Sequence, residues 1–288
     1  STTSSSCAEV DHHIRQRPAV GFPSAMTATA ASPTIDDRSL DRLRRFNLVM
    51  GALHLVSGVF MWLSSNEFEL QISGFTLKGP PGTPLGEGEL FEAFSIPLGA
   101  WTAAFLLMSA AAHFFMGTIG FGRYCRELQA GRNRIRWVEY SFSATLMILL
   151  ISLVTGITDV AAPIAIAGVN VSMILFGWLM EVINPLGRPV YWSPFWFGCI
   201  AGAAPWIAIA VSIGFGVAET GEGPPGFVYG ILVTIFVFFN CFAINQWLQY
   251  RGVGRWRDYL HGERVYMWLS LVAKSLLAWQ IWGNTLIG

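Results

Sequence analysis

The run Arg264–Gly288, RVYMWLSLVAKSLLAWQIWGNTLIG, decides how the rest of the chain is read. A helix needs about 20 predominantly apolar residues to cross the hydrocarbon core of a bilayer. This run is long enough, and Lys274 stands near its middle. A lysine at that depth costs roughly 2.5–3.5 kcal/mol on insertion scales, so a compensating interaction or a chemical use must hold it there. The chain has only two lysines, Lys78 and Lys274, against sixteen arginines. Where positive charge alone is wanted the sequence uses arginine, and an amine at 274 therefore points to chemistry closed to guanidinium. An amine can lose its protons and condense with an aldehyde to a Schiff base, whereas guanidinium effectively never deprotonates. The alternatives are an ion pair between helices or an ammonium snorkelling to the membrane surface.

Composition places the rest of the chain in the same solvent. Hydrophobic residues make up 53% and charged residues 12% of the 288, with formal net charge zero, which describes an integral, multi-pass membrane protein. With net charge zero the chain is not expected to bind nucleic acid, nor is it expected to be an enzyme. Cys7, Cys125, Cys199 and Cys241 form no CxxC pair, against a disulfide framework or a cysteine metal site. Residues 1–37, rich in Ser, Thr, Ala and Pro, read as a disordered tail, and residues 38–288 as one helical domain.

Seven apolar spans are expected, at 46–64, 95–119, 132–157, 160–182, 194–217, 226–249 and 265–287, each near the length of a crossing helix. Arg38, Arg42, Arg44 and Arg45 precede the first span. Arg123, Arg126, Arg132, Arg134 and Arg136 lie between or beside the second and third, Arg188 follows the fourth, and Arg251, Arg255, Arg257 and Arg264 separate the last two. The alternate loops hold one base, Lys78, against eight acids. By the positive-inside rule the N-terminus is cytoplasmic and the C-terminus extracellular. In the first outer loop, EFELQISGFTLKGPPGTPLGEGELFEAF, alternation on both sides of Ser73-Gly74 predicts a β-hairpin pairing Phe68–Ile72 with Phe75–Leu77. It would pack on the bundle or on a second copy of the chain, since a lone hairpin is marginal.

The membrane layer holds a few ionisable groups: Glu139 on the third span, His54 on the first and His113 on the second. At 1.5 Å of rise per residue, Lys274 lies about 20 Å and Glu139 about 27 Å from the outer ends of their helices, so an extended lysine reaches the carboxylate. His54 and His113 fall about 12 and 9 Å from the inner face, in the same slab. Ser270 stands one turn before Lys274, Ser109 one turn before His113 and Ser143 one turn after Glu139; small residues also serve simply to let helices approach. Arg136, three residues before Glu139, is a competitor for its carboxylate. A protonated Schiff base in low dielectric needs a counterion within about 4–6 Å, and Glu139 is the membrane carboxylate read for that role. A proton leaving Lys274 would then find Glu139, His54 and His113, all on the cytoplasmic side. The outer halves of the spans carry no carboxylate, His or Lys, an arrangement that does not suit a pump.

Several long motifs in order resemble the heliorhodopsin family: RWVEYSFSAT (136–145), GVNVSMILFGW (168–178), PFWFGCIAG (194–202), PGFVYG (225–230), SLVAKSLLAWQ (270–280) and KGPPGT in the outer loop. The resemblance runs from about Phe46 to the C-terminus. It implies all-trans retinal on Lys274 as a Schiff base, Glu139 as counterion with Ser270 hydrogen-bonded nearby, and His54 and His113 as cavity histidines that hold the released proton; Ser109, one turn from His113, is read with them as the proton-accepting cluster. It also implies an inverted topology, a homodimer to which the outer hairpin contributes, and light sensing rather than pumping, although some members conduct protons. Trp196, Trp206, Phe236 and Phe239 are taken as walls of the retinal pocket, among membrane aromatics that otherwise pack against lipid or core. The chain departs from the family at Ala144, where a serine is frequent, and in its long tail. The functional expectation is a photoreceptor that signals to a cytoplasmic partner while embedded in lipid, with a light-gated proton conductor as the alternative. A third possibility dispenses with retinal and has His54 and His113 ligate haem or a metal.

Overall fold

The computed structural model describes residues 35–287, so the expected tail over 1–37 lies outside the described residues except at its last three positions. Helix α1 spans Asp37–Ser64. Its start is set by Asp36, whose carboxylate accepts from the backbone N–H groups of Arg38 (2.6 Å) and Ser39 (3.2 Å), satisfying donors a helix start leaves open. The helix therefore begins well before the apolar run.

Strands β1 (Glu69–Leu77) and β2 (Gly88–Pro97) form an antiparallel hairpin, with Glu69 opposite Pro97 and Leu77 opposite Gly88. The pairing differs from the expected one. Ser73-Gly74 is not a turn but the middle of β1, and the reversal is made by residues 78–87, where Gly82 adopts φ +99° after Pro80-Pro81. The register shifts between Ile72 and Ser73, and such a bulge resets the in-out alternation, which the sequence pattern mimics as a turn. Ser73 is tied instead to the loop after the third span: its N–H donates to Thr158 O (2.9 Å) and its carbonyl accepts from Val160 N (2.8 Å). Ile72 and Ile96 anchor the hairpin in the core.

The remaining helices are α2 (Leu98–Gly117), a short α3 (Phe121–Gln129), α4 (Arg134–Val154), α5 (Ala161–Ile183), α6 (Ser193–Thr220), α7 (Gly226–Arg251) and α8 (Tyr259–Ile281). Among the described residues, six helices (α1, α2 and α4 to α7) are long and apolar enough to cross a membrane. Helix α8 has the length, 23 residues, but carries Glu263, Arg264 and Lys274. Side chains left uncovered on α6 and α7 are largely apolar, among them Val211, Phe215, Val233 and Val237, as lipid-facing surfaces are.

Helices α1 and α2 pack most extensively. The contact depends on glycine: a Cβ at Gly51 would lie 3.3 Å from His113 Cβ and from the Phe114 ring, and one at Gly58 would lie 2.8 Å from Leu107 Cδ2. Small residues at such crossings let backbones approach. Helix α8 packs on α7, α1 and α2, and α4 lies against α2 and α5. Helices α6 and α7 meet through aromatic side chains, Trp206 against Phe236 and Phe239 at centroid distances of 5.2 and 5.6 Å. Pro205, which removes a helical hydrogen bond, immediately precedes that tryptophan.

Gly51→Leu is expected to lower stability by about 1–3 kcal/mol, the usual cost of overpacking, read as a drop in the thermal unfolding midpoint of detergent-solubilised protein. An unchanged midpoint would show that α1 and α2 can separate freely at this crossing.

Candidate functional site

Lys274 is buried at 3% exposure, with its Nζ 2.7 Å from Glu139 Oε1 and 2.5 Å from Ser109 Oγ. Ser109 Oγ in turn donates to the same carboxylate oxygen at 2.6 Å. One residue from each of α2, α4 and α8 thus closes a three-membered hydrogen-bonded ring about the amine. The ammonium also stands 5.2 Å from the centroid of the Tyr140 ring, a favourable cation–π distance. Charge-assisted hydrogen bonds of this kind are the strong ones, and they offset the desolvation of both charges.

Ser109 lies one turn from His113, as expected, but its bonded partners are Lys274 and Glu139. Ser143 Oγ is buried with no hydrogen-bond partner among the described residues. His54 and His113 are stacked, centroids 5.7 Å apart and planes 14° from parallel. His113 Nδ1 is 2.9 Å from Asn47 Oδ1, while both nitrogens of fully buried His54 have no partner among the described residues. The two imidazoles form a pair beside the lysine ring, and no hydrogen bond among the described residues links the two groups. Among the described residues no set of three His, Cys, Asp or Glu side chains could hold a metal ion.

From the lysine a cavity of about 300 Å³ extends between α4, α5, α6, α7 and α8. Met147, Ile151, Trp206, Phe236 and Phe239 give it apolar walls, with Asn170 and Ser270 among its few polar groups. Asn170 is itself fixed, its Nδ2 donating to Thr145 Oγ1 at 2.9 Å. Ala144 lies in the wall on α4. Trp196 does not join the wall. On α6 the lining positions are Pro194, Phe195, Gly198, Cys199, Gly202, Ala203 and Trp206, one face of a 3.6-residue period. Trp196 is off that face, 57% exposed and edge-on to Phe195. Trp206 occupies the place the sequence reading gave it.

A second buried cluster was not anticipated. Arg136, read as a competitor for Glu139, donates instead through Nη1 to Glu263 and through Nη2 to Glu181. Glu181 also accepts from Asn133 N (2.9 Å), Trp137 Nε1 (2.6 Å) and Tyr259 OH (3.3 Å), and Glu263 from Asn133 Nδ2 (2.6 Å) and Tyr124 OH (3.1 Å). Both acids sit at helix ends, where sequence reading treats charge as solvated. The usable signal was Arg136 itself, since a guanidinium that enters the buried part of a helix requires carboxylates.

The sequence profile of the heliorhodopsin family matches residues 43–286. The chain belongs to that family. Heliorhodopsins are retinal-binding photoreceptor proteins of the membrane, and a largely apolar cavity with a buried amine in its wall fits that chromophore: the walls suit a polyene and Lys274 suits its aldehyde. Among the solved structures that share this chain's fold are the following three. A light-driven proton pump from Leptosphaeria maculans matches with TM-score 0.54 and 16% identity over 86% of this chain and 95% of its own. The rhodopsin of Exiguobacterium sibiricum matches at 0.56 and 13%, over 85% and 94%, and a cyanorhodopsin from Tolypothrix at 0.55 and 12%, over 87% and 96%. At these identities the likeness is one of fold. Comparison with curated proteins gives no match.

Outside the spans, Glu127 on α3 accepts from Arg134 Nε (2.9 Å), Arg134 Nη2 and Arg132 Nε (3.2 Å). The Arg134 hydrogen bond, ahead of the Arg132 charge, holds its carboxyl below the ordinary range. A depressed carboxylate contributes stability that is full above the unfolded value, about 4.3, and is lost as pH falls through the folded one. Glu127→Gln is therefore expected to be less stable than wild type at pH 7 by about 0.2–1 kcal/mol. The gap in unfolding midpoint should close as pH is lowered below about 4; a gap independent of pH would place the effect elsewhere.

Proposed function

We propose that the chain is a light sensor in which Lys274 holds all-trans retinal as a Schiff base and Glu139 is its counterion. The observation that carries this reading is the Lys274 amine, buried in the cavity wall with Glu139 Oε1 at 2.7 Å and a polyene-sized apolar space beyond it. Bound retinal supplies light-driven isomerisation of a conjugated chain. The rest is work for the protein's own residues. Glu139 keeps the proton on Nζ, because a nearby opposite charge favours the charged form. Ser109 accepts from Nζ and donates to Glu139, so it fixes the amine's direction and offers a short path between the two. His54 and His113 are the next groups able to take a proton, His113 oriented by Asn47 and His54 having both nitrogens free of other bonds. Ser270 and Phe236 contact the cavity from α8 and α7.

The asymmetry of arginine supports an N-terminus in the cytoplasm, with α8 as the seventh crossing helix and its charge satisfied internally. The proton-accepting groups then lie toward the cytoplasmic face. Away from the lysine the cavity is lined by Met147, Ile148, Ile151 and Ile235, none able to carry a proton onward, which favours signalling over net transport. A cytoplasmic partner would read the change at the arginine-rich end, and the outer hairpin, with Phe91, Phe94 and Leu90 uncovered, suits a homodimer contact.

Lys274→Ala, reconstituted with retinal, is expected to show no visible band, whereas wild type shows one that hydroxylamine bleaches. Glu139→Gln should shift the band to longer wavelength and lower the proton affinity of the Schiff base. A coloured Lys274→Ala protein would overturn the attachment site, and sustained photocurrent in voltage-clamped cells expressing the wild type would replace the sensor reading by a proton conductor.

A further inference from the structure

The buried cluster around Arg136 has a bearing on the chromophore site that its position makes specific. Arg136 and Glu139 are three residues apart on α4 and so are neighbours on one helix face, a spacing at which opposite charges ordinarily pair. They do not pair here. Both terminal nitrogens of Arg136 are engaged by Glu181 of α5 and Glu263 of α8. The guanidinium is clamped further by the Tyr266 ring at 4.0 Å and the Trp137 ring at 4.9 Å.

The two carboxylates cannot follow the arginine toward Glu139, because each is fixed by other donors. Asn133 holds both of them, through its backbone N–H on Glu181 and its side-chain amide on Glu263, while Trp137, Tyr259 and Tyr124 supply the remaining bonds. All three charged members are at most 4% exposed, so water does not screen or replace these contacts. With two carboxylates for one guanidinium, the cluster also attracts Arg136 more strongly than the single carboxylate of Glu139, which is already bonded to Lys274 and Ser109.

We infer that Glu181 and Glu263 are positioning residues for the counterion: they sequester Arg136 so that Glu139 faces Lys274 alone. This rests on the assignment of Lys274 and Glu139 made above. The consequence is spectral. A counterion stabilises positive charge localised on the Schiff-base nitrogen, as in the ground state, more than charge displaced along the polyene, as in the excited state. An arginine drawn onto Glu139 weakens that field, narrows the gap and moves absorption to longer wavelength.

The experiment compares absorption maxima of purified, retinal-reconstituted wild type, Glu139→Gln, Glu263→Gln, the double variant Glu181→Gln/Glu263→Gln, and the triple variant Arg136→Gln/Glu181→Gln/Glu263→Gln. The double variant should shift to longer wavelength, in the direction of Glu139→Gln and by less, and Glu263→Gln should shift less again. The triple variant should return close to wild type. Glu263→Gln and the triple variant leave the cluster with the same net charge, so a difference between them reports the freedom of Arg136 and not remote charge. The inference is overturned if the double variant keeps the wild-type maximum, or if Glu263→Gln and the triple variant shift equally. Should Glu139→Gln itself leave the band in place, the counterion assignment fails instead. Where a cluster variant does not fold, Arg136→Lys serves in its place: a shorter side chain that retains its carboxylates should leave the maximum unmoved, and a shift toward that of Glu139→Gln overturns the inference.

Discussion

An ammonium taken out of water must be met by charge, and in this protein Glu139 meets Lys274 at 2.7 Å, with Ser109 bonded to both. The pairing fixes more than a contact. It requires α2, α4 and α8 to converge at one depth, and the glycines of α1 bring its histidine against that of α2 in the same region. Removing one partner of a buried pair leaves the other uncompensated, at a cost of about 3–5 kcal/mol, so the bundle around the cavity and the charge within it are mutually dependent.

Helix α4 carries two charges of opposite sign within a single turn, and the structure sends them to different partners. Arg136 turns to Glu181 and Glu263, while Glu139 turns to Lys274. The aromatic rings between them divide the work in the same way, Tyr266 lying against the arginine and Tyr140 against the lysine. Tyr140 OH donates to the backbone carbonyl of Tyr266 at 3.2 Å, which joins the two sites mechanically without merging their charges.

Much of this was legible in the sequence because membrane helices declare themselves by length and apolarity, and because a charge in oil restricts its own partners. Depth along the helices put Lys274 within reach of Glu139 and placed His54 and His113 in the same slab, and in the structure the first two are hydrogen-bonded while the imidazoles stack. Composition undersells α8, because two of its charges, Glu263 and Lys274, are met by partners on other helices, Arg136 and Glu139. The hairpin was expected in the right loop but with the wrong register, since a bulge and a turn both interrupt alternation and only long-range bonds to Thr158 and Val160 tell them apart. Glu181 and Glu263 escaped notice because their burial comes from the packing of α3, α4 and α8 over them, which no local pattern encodes. Trp196 was misplaced for a similar reason: motif membership does not say which face of α6 looks inward, and the rotation favours Trp206.

The central claim is that the Lys274 nitrogen itself is bonded to the chromophore. Borohydride reduction of the illuminated pigment makes such a bond permanent, and peptide mass spectrometry then locates it. The account predicts a retinyl adduct on the peptide containing Lys274 and an unmodified Lys78. An adduct on Lys78, or retinal released without any adduct, would contradict it.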